Sequence, residues 1–155
     1  MDNKKEIFNL AINKIMRIAK SASSRNEKLK SICKILSADV SYFDWVGFYI
    51  ADEEQDELEL GPFEGEPTEH TKIQFGSGIC GQAAKTKRTY IVQDVLKEVN
   101  YLACSPIVRS EIVIPIMKST KFIGELDIDS HELAPFSIED KDFLEDVAEI
   151  VAQLF

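Results

Sequence analysis

Residues 111–117 have the sequence EIVIPIM and residues 121–130 have the sequence KFIGELDIDS, with the polar turn KST between them. Apolar and polar side chains alternate in both segments, which predicts two β-strands that each have two different faces. In the second strand, one face is predicted to carry Phe122, Gly124, Leu126 and Ile128, and the other Glu125, Asp127 and Asp129. If the two strands pair as a hairpin, the sheet has one apolar face and one face that carries carboxylates.

The three carboxylates on one strand face have two interpretations. They repel one another unless water or a cation lies opposite them, and a solvated sheet face supplies the water. The alternative is the floor of a pocket that binds a cationic group such as an α-amine. Glu111 favours the pocket, because Ile112, Ile114 and Ile116 are predicted to face the core and turn Glu111 toward the carboxylates.

The segments around this hairpin predict an α+β fold, an antiparallel sheet with helices on one face. Residues 1–40 are predicted to form helices, with the stripe Ile7, Leu10, Ala11, Ile15, Ile18 and Ala19 and the polar break SASSRNE at 21–27. Further strands are predicted from Tyr42 and at 58–61, 72–75 and 89–92, with a Gly-rich turn and short helix at 76–88. Residues 62–71 and 94–110 are predicted to be connections, and residues 137–140 resemble a capping box before a last helix.

Length and charge restrict the class of protein. The 155 residues favour one domain, with helices at 1–40 and the sheet, pocket loops and last helix at 41–155. A formal net charge of −9 disfavours nucleic-acid and membrane-surface roles. No apolar run has the length of a membrane span or the pattern of a signal peptide, and three cysteines suit a reducing compartment. We therefore expect a soluble cytoplasmic protein.

The cysteines and two aromatic residues are candidates for chemistry. Cys33 lies in a helical apolar stripe and is expected to be a small buried hydrophobe. Cys80 lies near a predicted helix N-terminus, where a lowered thiol pKa and close packing on the sheet are both plausible. Cys104 lies in an aperiodic connection, which favours a functional role. Trp45 and Tyr49 fit either an aromatic pocket wall or ordinary packing, and no zinc-ligand spacing is present.

An ordered set of motifs extends these observations to a family. The motifs are WVGFY (45–49), LGPFEG (60–65), GSGICG (76–81), AC (103–104), SEIVIP (110–115) and GELDIDS (124–130). Together they resemble the free methionine-(R)-sulfoxide reductases, which are built on a GAF domain, over roughly residues 40–155. The resemblance implies a GAF fold, with helices on one face of a central antiparallel sheet and a loop-capped pocket on the other. It also implies reduction of free methionine-(R)-sulfoxide and a possible homodimer.

The resemblance assigns roles to seven residues. Cys104 matches the nucleophile, Cys80 a second active-site cysteine, Glu111, Asp127 and Asp129 the substrate-binding carboxylates, and Trp45 and Tyr49 the aromatic wall. The implied chemistry passes through a cysteine sulfenic acid and a disulfide. Thioredoxin or another thiol reductant then restores the thiols. No bound cofactor and no metal are expected.

The chain departs from the family pattern at two places. Members typically carry a further cysteine in the loop after G-P-F-x-G, and here Glu69 or His70 occupies its approximate place. Ser105 stands where an Asp commonly follows the nucleophile. These departures lead to the hypothesis that Cys104 attacks and Cys80 resolves. The alternative is a non-catalytic GAF module that binds a small amine-containing ligand.

Overall fold

A six-stranded antiparallel sheet forms the centre of the computed structural model, which describes residues 3–102 and 105–155. The helices are α1 (Asn3–Lys20), α2 (Arg25–Asp39), α3 (Gly78–Thr86) and α4 (Ile138–Ala152). The strands are β1 (Trp45–Asp52), β2 (Glu57–Glu64), β3 (Lys72–Gln74), β4 (Tyr90–Val92), β5 (Ser110–Lys118) and β6 (Lys121–Ser130). Their order is β3-β2-β1-β6-β5-β4, so β1 and β6 lie at the centre. The predicted α+β class is confirmed.

Helices α1, α2 and α4 cover one face of the sheet and form the larger core. The apolar stripe of α1 buries Phe8, Ala11 and Ile15, and the ring of Phe8 stacks on Phe143 of α4 at 4.2 Å. Leu10 was predicted to belong to that stripe but is mostly exposed. The sheet contributes Val46, Phe48, Ile112, Ile114, Ile116, Leu126 and Ile128 to this core. Those of β5 and β6 are the apolar positions that the strand alternation predicts.

Asp140 anchors α4 to the rest of the helical layer. Its side chain is fully buried and accepts hydrogen bonds from the Ser137 backbone N–H at 2.9 Å and from the Tyr42 hydroxyl. The Lys4 ammonium of α1 lies 2.8 Å from the same carboxylate. The predicted capping box is therefore present, with Asp140 in the place of the usual Glu or Gln.

Several element boundaries differ from the expectation, and strand β1 begins at Trp45 rather than at Tyr42. Residues 25–27 were assigned to the polar break but form the first turn of α2, because the Ser24 hydroxyl caps the helix and accepts from Glu27 N at 3.3 Å. Strand β2 continues to Glu64 through a segment predicted to be loop, since residues 63 and 64 still pair with β1.

Phe122 lies on the opposite face of the sheet from the one predicted. The β5–β6 register shifts between Ile116, which pairs with Gly124, and Met117, which pairs with Phe122. This leaves Ile123 as an extra residue, and a β-bulge reverses the faces of the residues before it. Ile123 therefore joins the helical core, while Phe122 joins the cluster on the other face.

The second face of the sheet is covered by α3, by the 65–71 loop and by the 93–109 connection, of which residues 93–102 and 105–109 are described. Its apolar cluster includes Tyr49, Leu58, Ile73, Ile79, Ala83, Val95, Val113 and Phe122. Within the part of the chain that the structure describes, no helix has the length and apolar character needed to cross a membrane. The carboxylates of β6 lie on this second face, beneath the connecting segments.

Candidate active site

Four carboxylates lie together on the second face of the sheet. In the observed register, Glu111 of β5 lies directly opposite Asp129 of β6, and Asp127 lies opposite Val113. The prediction that Glu111 shares the face of the β6 carboxylates is therefore confirmed. None of Glu111, Glu125, Asp127 and Asp129 is more than 5% exposed. This burial contradicts the solvated sheet face and leaves the pocket floor as the interpretation that fits.

Cys80 of α3 lies against these carboxylates. Its thiol donates to Glu111 Oε2 at an Sγ–O distance of 3.8 Å. The Sγ of Cys80 and one oxygen each of Glu111 and Asp127 all lie within 4.8 Å of one another. The N-terminal turn of α3 thus places a thiol directly above the floor of the pocket.

A small cavity lies at this cluster. It is lined by Tyr49, His70, Ile73, Gly78, Ile79, Cys80, Leu102, Glu111 and Asp127. Its volume of about 10 Å³ accommodates about one water molecule. The cluster is therefore closed in the described conformation, with apolar residues around the acidic groups.

Trp45 and Asp129 line a different cavity, of about 40 Å³. Its other lining residues are Asp44, Glu66, Ser105, Val108 and His131. The structure therefore brings Cys80, Glu111, Asp127 and Tyr49 together at one cavity and places Trp45 and Asp129 at its neighbour. Glu125 lines neither cavity and is fully buried beside Tyr49, its partner on β1.

The Cys80 thiol has a pKa well above its usual value of 9.0. Burial is the largest cause, followed by the negative charges of Asp127 and Glu111. A lowered pKa was one expectation for this position, on the ground that helix N-termini stabilise thiolates. Cys80 does lie in the first turn of α3, but burial beside four acidic groups outweighs the helix, so that expectation is wrong.

The carboxyl groups at the centre of the cluster also hold their protons more tightly than usual. Burial raises the pKa of Glu125 well above 4.5, and the Asp127 charge adds to the effect. Burial likewise raises the pKa of Asp127, opposed by its hydrogen bonds to Glu111 and Cys80. Both carboxyl groups therefore keep a proton to higher pH than a solvated carboxyl group does.

Two aromatic side chains fix the 65–71 loop over the site. The Trp45 indole N–H donates to the carbonyl oxygen of Glu66 at 2.9 Å, and the Tyr49 hydroxyl donates to that of His70 at 2.9 Å. The Trp45 ring also stacks on Phe63, with ring centroids 5.6 Å apart. Of the two residues expected near the place of the family's further cysteine, His70 lines the cavity, whereas Glu69 is exposed.

Asn100 fixes the 93–109 connection to the start of α3. Its side-chain oxygen accepts from Gly78 N at 2.8 Å, and its amide donates to the Gly76 carbonyl at 2.9 Å. Leu102 packs on Gly78, where φ is +63° and a Cβ would lie 2.8 Å from the Leu102 side chain. Glycine is therefore required at position 78 for both the backbone conformation and this contact.

The predicted nucleophile, Cys104, lies outside the described residues. The residues on either side of positions 103 and 104 line the two cavities: Leu102 lines the first and Ser105 the second. Cys33 is fully buried in the helical core, and burial raises its pKa to about 12. The expectation that Cys33 is a buried hydrophobe is confirmed.

Lys87 is a neighbour of the site that sequence reasoning missed. It follows α3 in the left-handed conformation, with φ at +59°, and its ammonium lies 4.3 Å from the centre of the Phe122 ring. Its charge acts on Glu125 and opposes the rise in pKa of that carboxyl. No feature of the sequence KTKR indicates this role, because the contact depends on the bulge that turns Phe122 to this face.

Comparison with known proteins relates this site to a family. The GAF domain model matches residues 22–155. The chain is 42% identical over 120 residues to the free methionine-R-sulfoxide reductase of Saccharomyces cerevisiae, a match that covers 76% of this chain and 64% of the yeast protein. It is 35% identical over 126 residues to the free methionine-R-sulfoxide reductase of Escherichia coli, covering 81% of this chain and 73% of that protein.

A solved structure extends the likeness to the whole fold. Free methionine-R-sulfoxide reductase from Neisseria meningitidis, in complex with its substrate, is 35% identical to the chain and superimposes with a TM-score of 0.93. That match covers 100% of this chain and 92% of the Neisseria protein. The expected GAF fold is confirmed, and the chain belongs to the free methionine-R-sulfoxide reductase family of GAF-domain proteins.

Proposed function

We propose that this protein reduces free methionine-(R)-sulfoxide to methionine, with Cys104 as the nucleophile. The observation that carries the proposal is the buried cluster of Cys80, Glu111 and Asp127 at one cavity. The reductases of yeast and Escherichia coli, to which the chain is 42% and 35% identical, support the reaction. This makes the protein an oxidoreductase.

The buried carboxylates suit the amino group of a free amino acid. A substrate ammonium placed beside Glu111 and Asp127 would neutralise charge that the closed site otherwise holds without water. Asp129 and the Trp45 ring, at the neighbouring cavity, would contact a different part of the same molecule. The ring of Tyr49 lies 6.4 Å from that of Trp45 and completes an apolar wall for the S-methyl group.

The reductive step requires a thiolate and a proton. The Cys104 thiolate attacks the sulfoxide sulfur while the sulfoxide oxygen takes up a proton. The oxygen then becomes bonded to the Cys104 sulfur as its bond to the substrate sulfur and the transient sulfur–sulfur bond break. Methionine leaves, and the oxygen remains on Cys104 as a sulfenic acid. Asp127, whose pKa is raised by burial, is the group at the cavity best suited to supply the proton.

The oxidised cysteine is cleared by a second thiol. Cys80 attacks the sulfenic acid of Cys104, which forms a disulfide and releases water. The thiol proton of Cys80 must leave first, and Glu111 already accepts a hydrogen bond from it at 3.8 Å. A dithiol reductant of the thioredoxin class then reduces the disulfide. Thioredoxin, a homodimer and a cytoplasmic location stay predictions of the family resemblance.

The closed site favours a free amino acid over a protein-bound residue. Because the cavity at Cys80 has room for about one water molecule, a substrate must displace the loops that cover it. A methionine sulfoxide inside a polypeptide has no free amine for Glu111 and Asp127, and its flanking chain would meet α3 and the 65–71 loop. Selectivity for the free form is the expected result.

Consumption of NADPH, coupled through thioredoxin reductase and thioredoxin, tests the proposal. Free methionine-(R)-sulfoxide should be reduced, whereas the free S-isomer and a peptide-bound R-sulfoxide should not. Cys104→Ser should abolish turnover, and Asp127→Asn should lower kcat/KM by about 100-fold through loss of the proton donor. Asp142→Asn, which changes an exposed carboxylate on α4, is the matched control and should behave like the parent protein.

Three outcomes would contradict parts of this proposal. Normal activity of Cys104→Ser would remove the nucleophile assignment. A shift in thermal stability on binding the sulfoxide, without turnover under any thiol reductant, would support the alternative of a non-catalytic amine-binding module. Normal turnover of Cys80→Ser would show that an external thiol resolves the sulfenic acid.

A further inference from the structure

The cluster at Cys80 contains more buried donor atoms than an ammonium group needs. One thiol sulfur and two carboxylate oxygens, from Cys80, Glu111 and Asp127, lie within 4.8 Å of one another. Glu125 lies close to the same thiol, and neither its oxygens nor Asp127 Oδ1 has a hydrogen bond of ordinary geometry to a described residue. The side chain of Glu125 is nevertheless fully buried. Burial of carboxylate oxygens without partners is costly and indicates that the cluster is completed by a cation.

We propose that this cluster is a binding site for Zn²⁺, with Cys80, Glu111 and Asp127 as the three protein ligands and a water molecule in the fourth position. A thiolate excludes Mg²⁺ and Ca²⁺, which take oxygen ligands alone. Carboxylates disfavour Cu(I), which prefers soft ligands throughout. Zn²⁺ accepts both sulfur and oxygen and takes four ligands in a tetrahedron.

The spacing of the donors is close to what the ion requires. With Zn–S near 2.3 Å and Zn–O near 2.1 Å, ligand atoms on a tetrahedron lie about 3.4–3.6 Å apart. The Cys80 sulfur and the Glu111 oxygen are already 3.8 Å apart. Small rotations of buried side chains would bring the set to bonding distance. Binding releases the thiol proton of Cys80 to solvent, because only the thiolate is a ligand.

Occupation of the cluster would regulate the enzyme. This consequence rests on the proposed function: the ion and the substrate ammonium would compete for Glu111 and Asp127, and the ion would also hold the resolving thiol. We therefore expect Zn²⁺ to raise the KM for methionine-(R)-sulfoxide and to leave the rate at saturating substrate unchanged. The site makes the reductase sensitive to free zinc.

Binding of Co²⁺ as a spectroscopic substitute tests the site without any turnover. The Cys104→Ser protein, kept reduced with a phosphine, should bind one Co²⁺ per chain with a sulfur-to-cobalt charge-transfer band, and Zn²⁺ should displace it. Adding Cys80→Ser should remove the band and weaken Zn²⁺ binding by about 100-fold or more. Loss of a residue that only hydrogen-bonds to a metal ligand would weaken binding by about 10- to 100-fold. Asp127→Asn is a second variant with the same expectation, and far-UV circular dichroism checks that both fold.

Cys33→Ser is the matched control in the same background. Its thiol is buried in the helical core, on the other face of the sheet from the acidic cluster, and donates to the Pro62 carbonyl oxygen at 3.6 Å. This variant should keep the cobalt band. Absence of the band before Cys80 is changed, or its survival in the Cys80→Ser protein, would overturn the zinc site. Because the readout is optical, a parent protein that binds Zn²⁺ but never turns over would overturn the reductase proposal alone.

Discussion

At the scale of single residues, burial decides the charge of the site. Cys80 has the helix position of a reactive thiolate, yet its pKa is raised because its surroundings are dry and acidic. Burial is also the main reason why the pKa values of Glu125 and Asp127 are raised. The sequence could predict that carboxylates share a strand face, since alternation sets faces. It could not predict their burial, because the covering segments come from distant parts of the chain.

Replacement of Glu125 by Gln should change how stability depends on pH. The pKa of Glu125 is raised in the folded state, so the folded protein keeps a proton that the unfolded chain loses as the pH rises past about 4.5. Stability is therefore lost with rising pH until the folded pKa is reached. Glutamine cannot ionise. The free energy of unfolding of Glu125→Gln should therefore rise relative to that of the parent by up to about 1.4 kcal/mol per pH unit in that interval.

Urea unfolding at about pH 5, 7 and 9 measures this difference in the free energy of unfolding. Glu59→Gln, which changes an exposed carboxylate on strand β2, is the control and should follow the parent at each pH. A constant gap between Glu125→Gln and the parent at all three pH values would contradict the assignment of a raised pKa to Glu125.

At the scale of elements, strand alternation predicted which face most of the site residues occupy. A β-bulge made that prediction wrong for one residue. Val46 and Phe48 face the helices while Trp45 and Tyr49 face the carboxylates, as the alternation of side chains along a strand requires. The same rule failed for Phe122, because one extra residue in β6 reverses the faces before Gly124. A bulge leaves no clear trace in alternation, so the contact between Lys87 and Phe122 could not be predicted.

Gly47 of β1 leaves space for the Trp45 ring, because it has no side chain. A Cβ at position 47 would lie 2.3 Å from the Trp45 ring, so Gly47→Ala must displace that ring. Trp45 is the single tryptophan of the chain and only 5% exposed. We expect a red-shifted fluorescence maximum, an unchanged far-UV spectrum and, if Trp45 contacts substrate, a raised KM for the sulfoxide.

Gly61→Ala is the control for this prediction. It adds the same methyl group to the adjacent strand β2, where the Cβ meets the Phe48 carbonyl oxygen at 3.3 Å and two atoms of Ile50 rather than Trp45. An emission maximum in Gly47→Ala identical to that of the parent would show that the Trp45 ring does not lie across Gly47.

At the scale of the whole molecule, the two faces of the sheet have different tasks. The helical layer supplies an apolar core tied together by buried Asp140, and the opposite face holds the acidic cluster under α3 and two long segments. Motif order predicted the fold and the family. It did not predict that Trp45 and Asp129 line a separate cavity from Glu111 and Asp127, because that division depends on how the 65–71 loop and the 93–109 connection lie over the sheet.

The most direct test of the account is a single turnover without external reductant. The fully reduced protein is mixed with free methionine-(R)-sulfoxide, and the methionine formed per chain is measured by chromatography after an acid quench. The account predicts one equivalent of methionine, a disulfide between Cys80 and Cys104 in the product, and no methionine from the S-isomer or from Cys104→Ser. Methionine from Cys104→Ser, or none from the parent with the R-isomer, would contradict it.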